Sequence, residues 1–369
     1  LTLNDGLIIE TPAGAQYVDG EIKDASGNVI KDEWVTIQYT EDYGITVAGI
    51  KVTNHNREDV LGDGTVSYNP KTSTLTLDGA NITSTEANGI QTKVDGLKIN
   101  VIGKNNITVG DYVGMRITRA TAGKPVTFLG GGSLQIKANG IGLQLYVDAI
   151  LTEDVKVTAE SLSDTYAGIQ GRKATEGPLP SITMMGEGTK LRAKGGNLGS
   201  MVSIHFLDLT HNFKIVEPKG AALIEDVGIA VEGALVTNQW VTIMKENRYL
   251  FYVADTQVTN VNQDDVLGDG TVSFDPETST LTLNNANIEC EATYAIGAVD
   301  YGPITIKLIG ENYAVTSLWF GVRVNEATIE GPGSLVTKAE TGISSFNGLT
   351  ISNGAKVSAE GTRMNGIFG

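Results

Sequence analysis

One long stretch of sequence occurs twice in this chain. Residues 52–82 read VTNHNREDVLGDGTVSYNPKTSTLTLDGANI, and residues 258–288, which lie 206 positions later, read VTNVNQDDVLGDGTVSFDPETSTLTLNNANI. The match extends upstream, where WVTI occurs at residues 34–37 and again at residues 240–243. A repeat of this length predicts that the fold is built from two copies of one structural unit.

Short runs of alternating apolar and polar residues follow the repeated stretch. In residues 97–101 and 126–128, for example, Leu, Ile, Val and Phe alternate with Lys, Asn and Thr, which is typical of β-strands that bury one face. A glycine followed by an apolar residue recurs at intervals of 25, 26 and 28 residues, at Gly89-Ile90, Gly114-Met115, Gly140-Ile141 and Gly168-Ile169. One motif at nearly constant spacing favours a solenoid over a β-sandwich.

The sequence therefore predicts an all-β protein made of two tandem right-handed parallel β-helix units with small β caps. We expect a connector resembling the end of a preceding unit at residues 1–44, a first β-helix at 45–206, a second connector at 207–250 and an incomplete second β-helix at 251–369. Leu, Ile and Val would stack inside each unit, and glycine would serve turns that need a positive φ. The segments that start at Trp34 and Trp240 would cap exposed strand edges.

Composition narrows the class of partner. The 43 acidic and 27 basic residues give a net charge of −16, which repels phosphate backbones and anionic membrane surfaces, so we expect no nucleic-acid or membrane partner. No stretch approaches the ~18 apolar residues that span a bilayer. Cys290 is the only cysteine, which excludes an internal disulfide. The chain opens at Leu1 without a signal-like segment, and we interpret it as a mature or trimmed product. We also expect the protein to be a monomer.

Two acidic turns suggest a calcium site. Residues 59–64 read DVLGDG, and residues 265–270 repeat them. An EF-hand loop needs oxygen ligands at its positions 3 and 12, which here are leucine and proline in both copies, so an EF-hand is excluded. We interpret each stretch as a Gly-Asp-Gly turn that leads into a strand. The alternative is an unconventional Ca²⁺ site at Asp59 and Asp63, with its counterpart at Asp265 and Asp269.

No pattern in the chain indicates catalysis. His55, His205 and His211 do not occur at metal-ligand spacing, and Val261 stands where the first copy has His55. The sequence contains no serine-hydrolase elbow, zinc-protease motif or phosphate loop. A polysaccharide lyase would need acidic metal ligands near an Arg or Lys base on one outward sheet, and the spacing shows no such cluster. We therefore assign no catalytic residue.

An aromatic residue and an arginine share one local pattern in both copies. Tyr112 precedes Arg116 by four residues, and Trp319 precedes Arg323 by four residues, with the glycine marker between them. Strand alternation sends both arginines outward if their apolar neighbours point inward. Tyr166 has the same position two coils later, at a distance of about 9 to 10 Å from Tyr112. An aromatic platform beside a guanidinium suits a sugar face and a uronate carboxylate. Solvated arginines, aromatic residues packed over a neighbouring coil and simple duplication are the interpretation that the pattern alone favours.

The motifs DVLGDGTVSY, STLTLDGANI and GGGSLQI, together with the Gly-Ile coils, resemble those of the bacterial parallel β-helix surface proteins described as carbohydrate-binding domain-containing proteins. The resemblance covers residues 47–195 and 253–369. It implies an extracellular or surface-attached β-helix, with polygalacturonate binding and calcium as themes of a similar clostridial branch. No calcium ligands can be transferred residue by residue from that branch to this sequence.

Three functions follow as expectations. The first is a secreted or surface-anchored β-helix that binds a polysaccharide, with acidic glycans among the candidate ligands, and has no chemistry of its own. The second is a structural or adhesive surface protein. The third is a polysaccharide lyase or hydrolase, because many enzymes use this fold and fold alone does not define function.

Overall fold

The computed structural model describes residues 7–118, 123–173, 177–210 and 212–369. All regular secondary structure in these ranges is β, and the chain forms two compact units, Leu1–Lys245 (unit 1) and Glu246–Gly369 (unit 2). Together they contain about 11 turns of a β-solenoid in which most strand pairs are parallel. The predicted all-β parallel β-helix is therefore confirmed.

Unit 1 is built from short strands joined by turns. Its strands are β1 (Leu7–Thr11), β2 (Gln16–Val18), β3 (Glu21–Lys23), β4 (Thr36–Tyr39), β5 (Asp42–Val47), β6 (Ile50–Thr53), β7 (Val66–Asn69), β8 (Thr74–Asp78), β9 (Asn81–Ser84), β10 (Ile90–Thr92), β11 (Lys98–Ile102), β12 (Lys104–Val109), β13 (Met115–Ile117), β14 (Val126–Leu129), β15 (Ser133–Ala138), β16 (Leu143–Leu145), β17 (Ala149–Leu151), β18 (Lys156–Ser161), β19 (Ile169–Gly171), β20 (Ile182–Met184), β21 (Lys190–Lys194), β22 (Met201–Val202), β23 (Leu207–Asp208), β24 (Phe213–Glu217), β25 (Ala222–Ile224), β26 (Gly228–Val231), β27 (Ala234–Leu235) and β28 (Val241–Lys245).

Three sheets run along unit 1, and each coil contributes one strand to each sheet. Sheet A has the order β25-β26-β22-β19-β16-β13-β10-β5-β6, with β27 paired to β26. Sheet B has the order β23-β20-β17-β14-β11-β8-β7, and sheet C has the order β24-β28-β21-β18-β15-β12-β9. The chain passes from sheet B to sheet C to sheet A within a coil, as in β11, β12 and β13.

Unit 2 repeats this scheme with longer strands. Its strands are β29 (Arg248–Val253), β30 (Thr256–Thr259), β31 (Val272–Asp275), β32 (Thr280–Asn284), β33 (Asn287–Cys290), β34 (Tyr294–Ala298), β35 (Ile304–Ile309), β36 (Glu311–Thr316), β37 (Phe320–Glu330), β38 (Ser334–Ala339), β39 (Thr341–Ile351), β40 (Lys356–Gly361) and β41 (Ile367–Phe368).

Unit 2 has two sheets where unit 1 has three. The reason is that β37 and β39 each occupy two successive strand positions of a coil. The first half of β37 pairs with β34 and its second half pairs with β35, so one strand continues around the corner of the coil. Sheet D has the order β30-β29-β34-β37-β35-β32-β31. In addition, β39 pairs with β37, and β41 pairs with β39. Sheet E has the order β33-β36-β38-β40.

The apolar positions of successive coils stack inside each unit. Leu75 pairs in register with Ile99, and Ile99 pairs with Phe128. All three side chains are fully buried in one core, as the alternation predicts. Burial of these side chains stabilises the fold by roughly 25 cal/mol for each Å² of apolar surface removed from water. The column of stacked side chains is therefore the main stabilising element of the unit.

Glycine at the coil markers has a different role from the predicted one. Gly114, Gly142 and Gly168 lack a positive φ. A Cβ atom on Gly114 would lie 2.6 Å from the carbonyl oxygen of Gly142, and one on Gly142 would lie 2.6 Å from that of Gly168. Close approach of successive coils therefore requires glycine here. Because Met115 pairs with Leu143, the marker of the third coil is Gly142, and the prediction of Gly140-Ile141 was wrong.

Antiparallel strands cover both ends of the coils in unit 1. At the first coil, β5 pairs antiparallel with β10 and β7 pairs antiparallel with β8. At the last coil, β26 pairs antiparallel with β22 and β28 pairs antiparallel with β21. These strands form hydrogen bonds with the edges of the first and last coil strands, which could otherwise pair with strands of other chains.

Candidate ligand-binding site

The two predicted arginines lie on the outer face of the solenoid. Arg116 is the middle residue of β13, between Met115 and Ile117, whose side chains are buried in the core. Arg323 lies on β37 between the buried residues Val322 and Val324. Strand alternation therefore turns both guanidinium groups outward, where both side chains are partly exposed.

Arg116 contacts a tyrosine of the next coil. Gln144 is its register partner, and Tyr146 follows two residues later. The Arg116 Nη2 atom donates a hydrogen bond of 3.1 Å to the Tyr146 hydroxyl, and the guanidinium carbon lies 5.6 Å from the centre of the Tyr146 ring. The Arg116 Nε–H group is buried and has no hydrogen-bond partner.

A second arginine reaches the same phenol. Burial raises the pKa of the Tyr146 hydroxyl, but hydrogen bonds from Arg116 and Arg172 and the positive charges of both groups outweigh that effect and bring the pKa below its ordinary value of 10.0. Two guanidinium groups thus converge on one oxygen. Such a pair is positioned for a carboxylate, because guanidinium donors match its two oxygens.

A buried pair of glutamines continues the outward row beyond Arg116. Gln144 and Gln170 are register partners, with 5% and 8% of their surface exposed. The Gln144 Nε2 atom donates a hydrogen bond of 3.3 Å to Oε1 of Gln170. The two buried side-chain amides add oriented donors and acceptors next to Arg116 and Arg172.

In unit 2 the equivalent arginine is surrounded by aromatic rings. The guanidinium carbon of Arg323 lies 4.4 Å from the centre of the Phe320 ring, 5.2 Å from that of Phe346 and 5.8 Å from that of Tyr294. The rings of Tyr294 and Phe320 stack with centres 6.0 Å apart. The Nε–H group of Arg323 is also buried without a partner.

The same arrangement therefore occurs in both units. Phe346 lies two residues after Ser344, the register partner of Arg323, as Tyr146 does after the partner of Arg116. The sequence reasoning missed both rings because they belong to the coil after the arginine. The signal was present as an aromatic residue four positions after Gly142 and four after Gly342.

The three predicted aromatic residues are exposed at the coil corner. Tyr112, Tyr166 and Trp319 have 43%, 45% and 55% of their surface exposed. Trp319 lies 6.4 Å from Phe320, the residue beside Arg323, so unit 2 brings its predicted pair into one aromatic patch. In unit 1, the ring over which Arg116 lies is that of Tyr146 rather than that of Tyr112.

Tyr112 and Tyr166 belong to alternate coils of unit 1. Gly140 occupies the corresponding place in the coil between them, where a side chain would collide with the carbonyl oxygen of Tyr112. The coil between the two rings thus carries no side chain at the corresponding position.

The four aspartates of the predicted calcium sites act as hydrogen-bond acceptors within their own turns. Oδ1 of Asp59 accepts from the amides of Gly62 and Gly64 at 2.8 and 3.0 Å, and Asp265 does the same in unit 2. Gly62 has a φ of 77°, so the expected positive-φ glycine occurs in this turn. The hydrogen bonds of Asp59 and Asp265 thus lie within their own turns.

Asp63 and Asp269 close the second half of each turn. Each accepts hydrogen bonds from the hydroxyl and amide of the threonine two residues later, Thr65 or Thr271. The threonine hydroxyl is the main reason that the pKa of each aspartate lies below its ordinary value of 3.8. Both carboxylates are ionised at neutral pH, which any use as a Ca²⁺ ligand also requires.

The histidines lie at the surface of unit 1, apart from His211, which lies outside the described residues. His55 contacts the Gln38 side chain at 3.0 Å. His205 lies 3.0 Å from Asp226 and 3.4 Å from Glu225, the one group of three potential metal ligands among the described residues. Spacing in the sequence gave no sign of this cluster, because the hairpin of β25 and β26 brings the acids to His205.

Comparisons of this chain with protein-family models, with curated proteins and with solved structures find no match. The part of the chain that the structure describes includes no helix with the length and apolar character of a membrane span.

Proposed function

We propose that this protein is a non-catalytic polysaccharide-binding β-solenoid that takes acidic glycans at its outward arginines. The observation that carries the proposal is repeated in both units. Arg116 and Arg323 each turn a partly exposed side chain outward, and each guanidinium lies against an aromatic ring of the next coil. A bound uronate carboxylate would accept hydrogen bonds from the solvent-facing part of the guanidinium, and the ring would support the sugar.

The two units favour different parts of such a ligand. In unit 1, Arg116 and Arg172 converge on a phenol, which suits a carboxylate. In unit 2, the exposed ring of Phe346 lies beside Arg323 and the exposed ring of Trp319 lies beside Phe320, which suits the apolar face of a sugar ring. A chain with both kinds of contact would bind a polymer that combines charged and uncharged faces. A polysaccharide ligand of this kind places the protein outside the cell or on its surface, which is part of the proposal.

Retention by immobilised polysaccharide tests the proposal. In affinity gel electrophoresis, polygalacturonate should retard the protein more than a neutral glucan does. Arg116→Gln and Arg323→Gln should each weaken binding by about 10-fold to 100-fold, because a hydrogen bond to a charged group contributes about 1.5 to 3 kcal/mol.

Arg363→Gln is the matched control. Arg363 is an exposed arginine of unit 2 that pairs with Glu340, and its substitution should leave retention unchanged. If the wild-type chain migrates equally with and without every polysaccharide tried, the glycan proposal is wrong and a structural or adhesive surface protein is the better description.

A second candidate is a lyase, favoured by the lowered pKa of Tyr146 next to two guanidinium groups. In β-elimination, a tyrosinate would remove the proton on the carbon next to a uronate carboxylate, while arginines neutralise that carboxylate. The electron pair would form a carbon–carbon double bond, the glycosidic C–O bond would break, and water would protonate the leaving oxygen. Unsaturated uronate products, absent with Tyr146→Phe, would establish this reaction in place of simple binding.

A further inference from the structure

Sheet C of unit 1 has a basic outer face. Its four coil strands β12, β15, β18 and β21 turn twelve side chains outward, three from each strand. Five of the twelve are neutral and polar, Glu160 is acidic, and six are basic, namely Lys104, Lys137, Lys156, Lys190, Arg192 and Lys194. The face therefore has a net charge of +5 in a chain whose net charge is −16.

The corresponding face of unit 2 lacks this positive charge. The outward positions of sheet E carry two basic residues, Lys338 and Lys356, and three acidic ones, Glu289, Glu311 and Glu360. The repeated fold does not require a basic face, so the charge of sheet C is specific to unit 1.

The register of the coils places three lysines in one line across the strands. Lys104 is opposite Ser133, Ser133 is opposite Lys156, and Lys156 is opposite Lys190. We name these four residues the lysine row. Coils are spaced by about 4.8 Å, so Lys104 and Lys156 start about 9 to 10 Å apart and Lys190 starts one coil further along.

The lysine row keeps its charge, whereas other cations of the face are paired. The Glu160 carboxylate lies 4.0 Å from the Lys137 ammonium group and 3.6 Å from that of Lys194. The Arg192 guanidinium lies 3.6 Å from the Glu217 carboxylate. Among the residues that the structure describes, no carboxylate forms an ion pair with a lysine of the lysine row.

The pKa of Lys190 reflects this uncompensated charge. Burial lowers the pKa of its ammonium group below the ordinary value of 10.5, and the positive charges of Arg192 and Lys156 lower it further, while Glu217 acts in the opposite direction. An anion beside the row would relieve the repulsion between these cations.

A recess lies between the first two lysines of the row. It has a volume of about 390 Å³ and is lined by Lys104, Ser133, Lys156, Gly103 and residues 130–132, which are all glycine. Glycine is required at 130 and 132, because a Cβ atom there would lie 2.7 and 2.6 Å from the Val101 carbonyl oxygen. The absence of side chains at these positions leaves the space between the two lysines open to solvent.

We infer that the lysine row binds an acidic polysaccharide that lies across the coils, with one carboxylate or sulfate group in the recess between Lys104 and Lys156 and another beside Lys190. The inference rests on charge complementarity, because a line of unpaired cations matches a polymer that repeats an anionic group. The distance from one coil to the next is similar to the length of one pyranose ring along a polysaccharide chain.

The row beside the lysines supplies the remaining contacts. Asn106, Gln135 and Thr158 are register partners on successive coils, and their outward amide and hydroxyl groups can form hydrogen bonds with sugar hydroxyls. A single-stranded nucleic acid fits less well, because such ligands bind to surfaces that also present aromatic rings for stacking. None of the twelve outward residues of this face is aromatic.

This surface differs from the arginine sites, since Arg116 lies on β13 of sheet A. The inference shares with the proposed function only the chemical class of the ligand. The net charge of −16 opposes the approach of any polyanion, so we expect the lysines to act mainly by slowing dissociation.

Affinity gel electrophoresis of the full chain tests the inference, with polygalacturonate as the carboxylate polymer and dextran sulfate as the sulfate polymer. Lys104→Gln combined with Lys156→Gln should raise the Kd for the preferred polymer by about 3-fold to 30-fold, because each exposed ion pair contributes little by itself. Lys98→Gln combined with Lys307→Gln is the matched control. It removes the same charge from exposed positions on sheets B and D and should leave the Kd unchanged.

Both lysine pairs are also exchanged in an Arg116→Gln, Arg323→Gln background. Lysine-dependent binding that persists there supports the inference even if the arginine sites bind no glycan. Equal Kd values for the lysine-row variant and the control overturn the inference and leave the arginine proposal standing. Stronger retardation by single-stranded oligothymidylate than by either polysaccharide also overturns it. A wild-type chain that neither polymer retards contradicts both proposals.

Discussion

Arg116 and Arg323 occupy the same place in the coil but differ in what surrounds them. Arg116 has a phenol and a second arginine as neighbours, whereas Arg323 has three aromatic rings. A guanidinium over a ring gains about 0.5 to 2 kcal/mol depending on how far water is excluded. The rings therefore hold Arg323 in place, while hydrogen bonds hold Arg116.

Removal of Arg116 should change the titration of Tyr146. In Arg116→Gln, the phenol loses one hydrogen bond and one positive charge, so its pKa should rise toward 10.0. Spectrophotometric titration of the tyrosines checks this, with Tyr146→Phe identifying the transition and Arg363→Gln, which removes an exposed arginine paired with Glu340, as the control. A titration identical to that of the wild type would contradict the assigned contacts.

The same shift makes stability depend on alkaline pH. The folded pKa of Tyr146 is below the unfolded one, so its stabilisation is lost as pH falls through the folded value and is complete above the unfolded value of 10.0. The wild type should therefore gain stability relative to Arg116→Gln as pH rises from neutral toward that value.

The aspartate turns give a second test at this scale. Asp59→Ala leaves the amides of Gly62 and Gly64 without their acceptor and should lower the free energy of unfolding by about 1 to 2 kcal/mol. Asp59→Asn retains an acceptor oxygen and should cost less. Denaturant unfolding should give the same difference with calcium and with a chelator. A calcium-dependent rise in the wild-type midpoint that Asp59→Ala abolishes would instead establish a metal site.

Residue types alone could predict the outward arginines but not their partners. The alternation around Arg116 predicts its direction, because Met115 and Ile117 must point inward. Tyr146 is 30 positions away in sequence, and it meets Arg116 only because the intervening coil brings Gln144 into register. The contact of Arg172 with Tyr146 depends on one further coil, because Arg172 follows β19. Contacts between coils depend on turn lengths that a single sequence does not fix.

At the scale of elements, a buried asparagine holds the corner between sheets B and C. Oδ1 of Asn105 accepts from the Ala80 amide at 2.7 Å, and its Nδ2 donates to the Ile102 carbonyl at 2.8 Å. Asn312 makes the corresponding contacts in unit 2 and is fully buried. An asparagine here supplies hydrogen bonds that the turning backbone cannot make with itself.

Asn105→Leu should therefore be strongly destabilising. It leaves the buried Ala80 amide and the partly buried Ile102 carbonyl without their partner, which costs about 2 to 4 kcal/mol in total. Asn106→Ala, at the exposed neighbouring position, should change stability by less than about 0.5 kcal/mol. Chemical denaturation of the two variants makes the comparison. Equal stability would show that water satisfies both groups.

The element boundaries show why the coil could be predicted and its register could not. Alternation in residues 97–101 defines a strand and its inward face whatever the turn lengths are. The choice between Gly140 and Gly142 as the coil marker depends instead on the register between coils, in which Met115 pairs with Leu143, since a Cβ would collide with a carbonyl oxygen at either glycine. Both glycines precede an apolar residue, so the pattern alone favours neither.

At the scale of the whole molecule, the net charge of −16 opposes the approach of a polyanion. The arginine sites act within a few ångströms, whereas the net charge acts over about a Debye length, roughly 10 Å at 0.1 M salt. The association rate with polygalacturonate should therefore rise as salt is added, because screening weakens the long-range repulsion. Surface plasmon resonance at several salt concentrations measures this rate. A steep fall would indicate that the basic face of unit 1 also controls the encounter.

The turn that follows sheet A varies more than its strands do. It has 3 residues after β16 and 10 residues after β19, while the flanking strands keep their register. Tyr146 and Arg172 both belong to these turns. Insertions and deletions at this one corner can therefore change the residues next to Arg116 while the hydrophobic interior is inherited unchanged, and the same corner offers a place to graft foreign peptides for display.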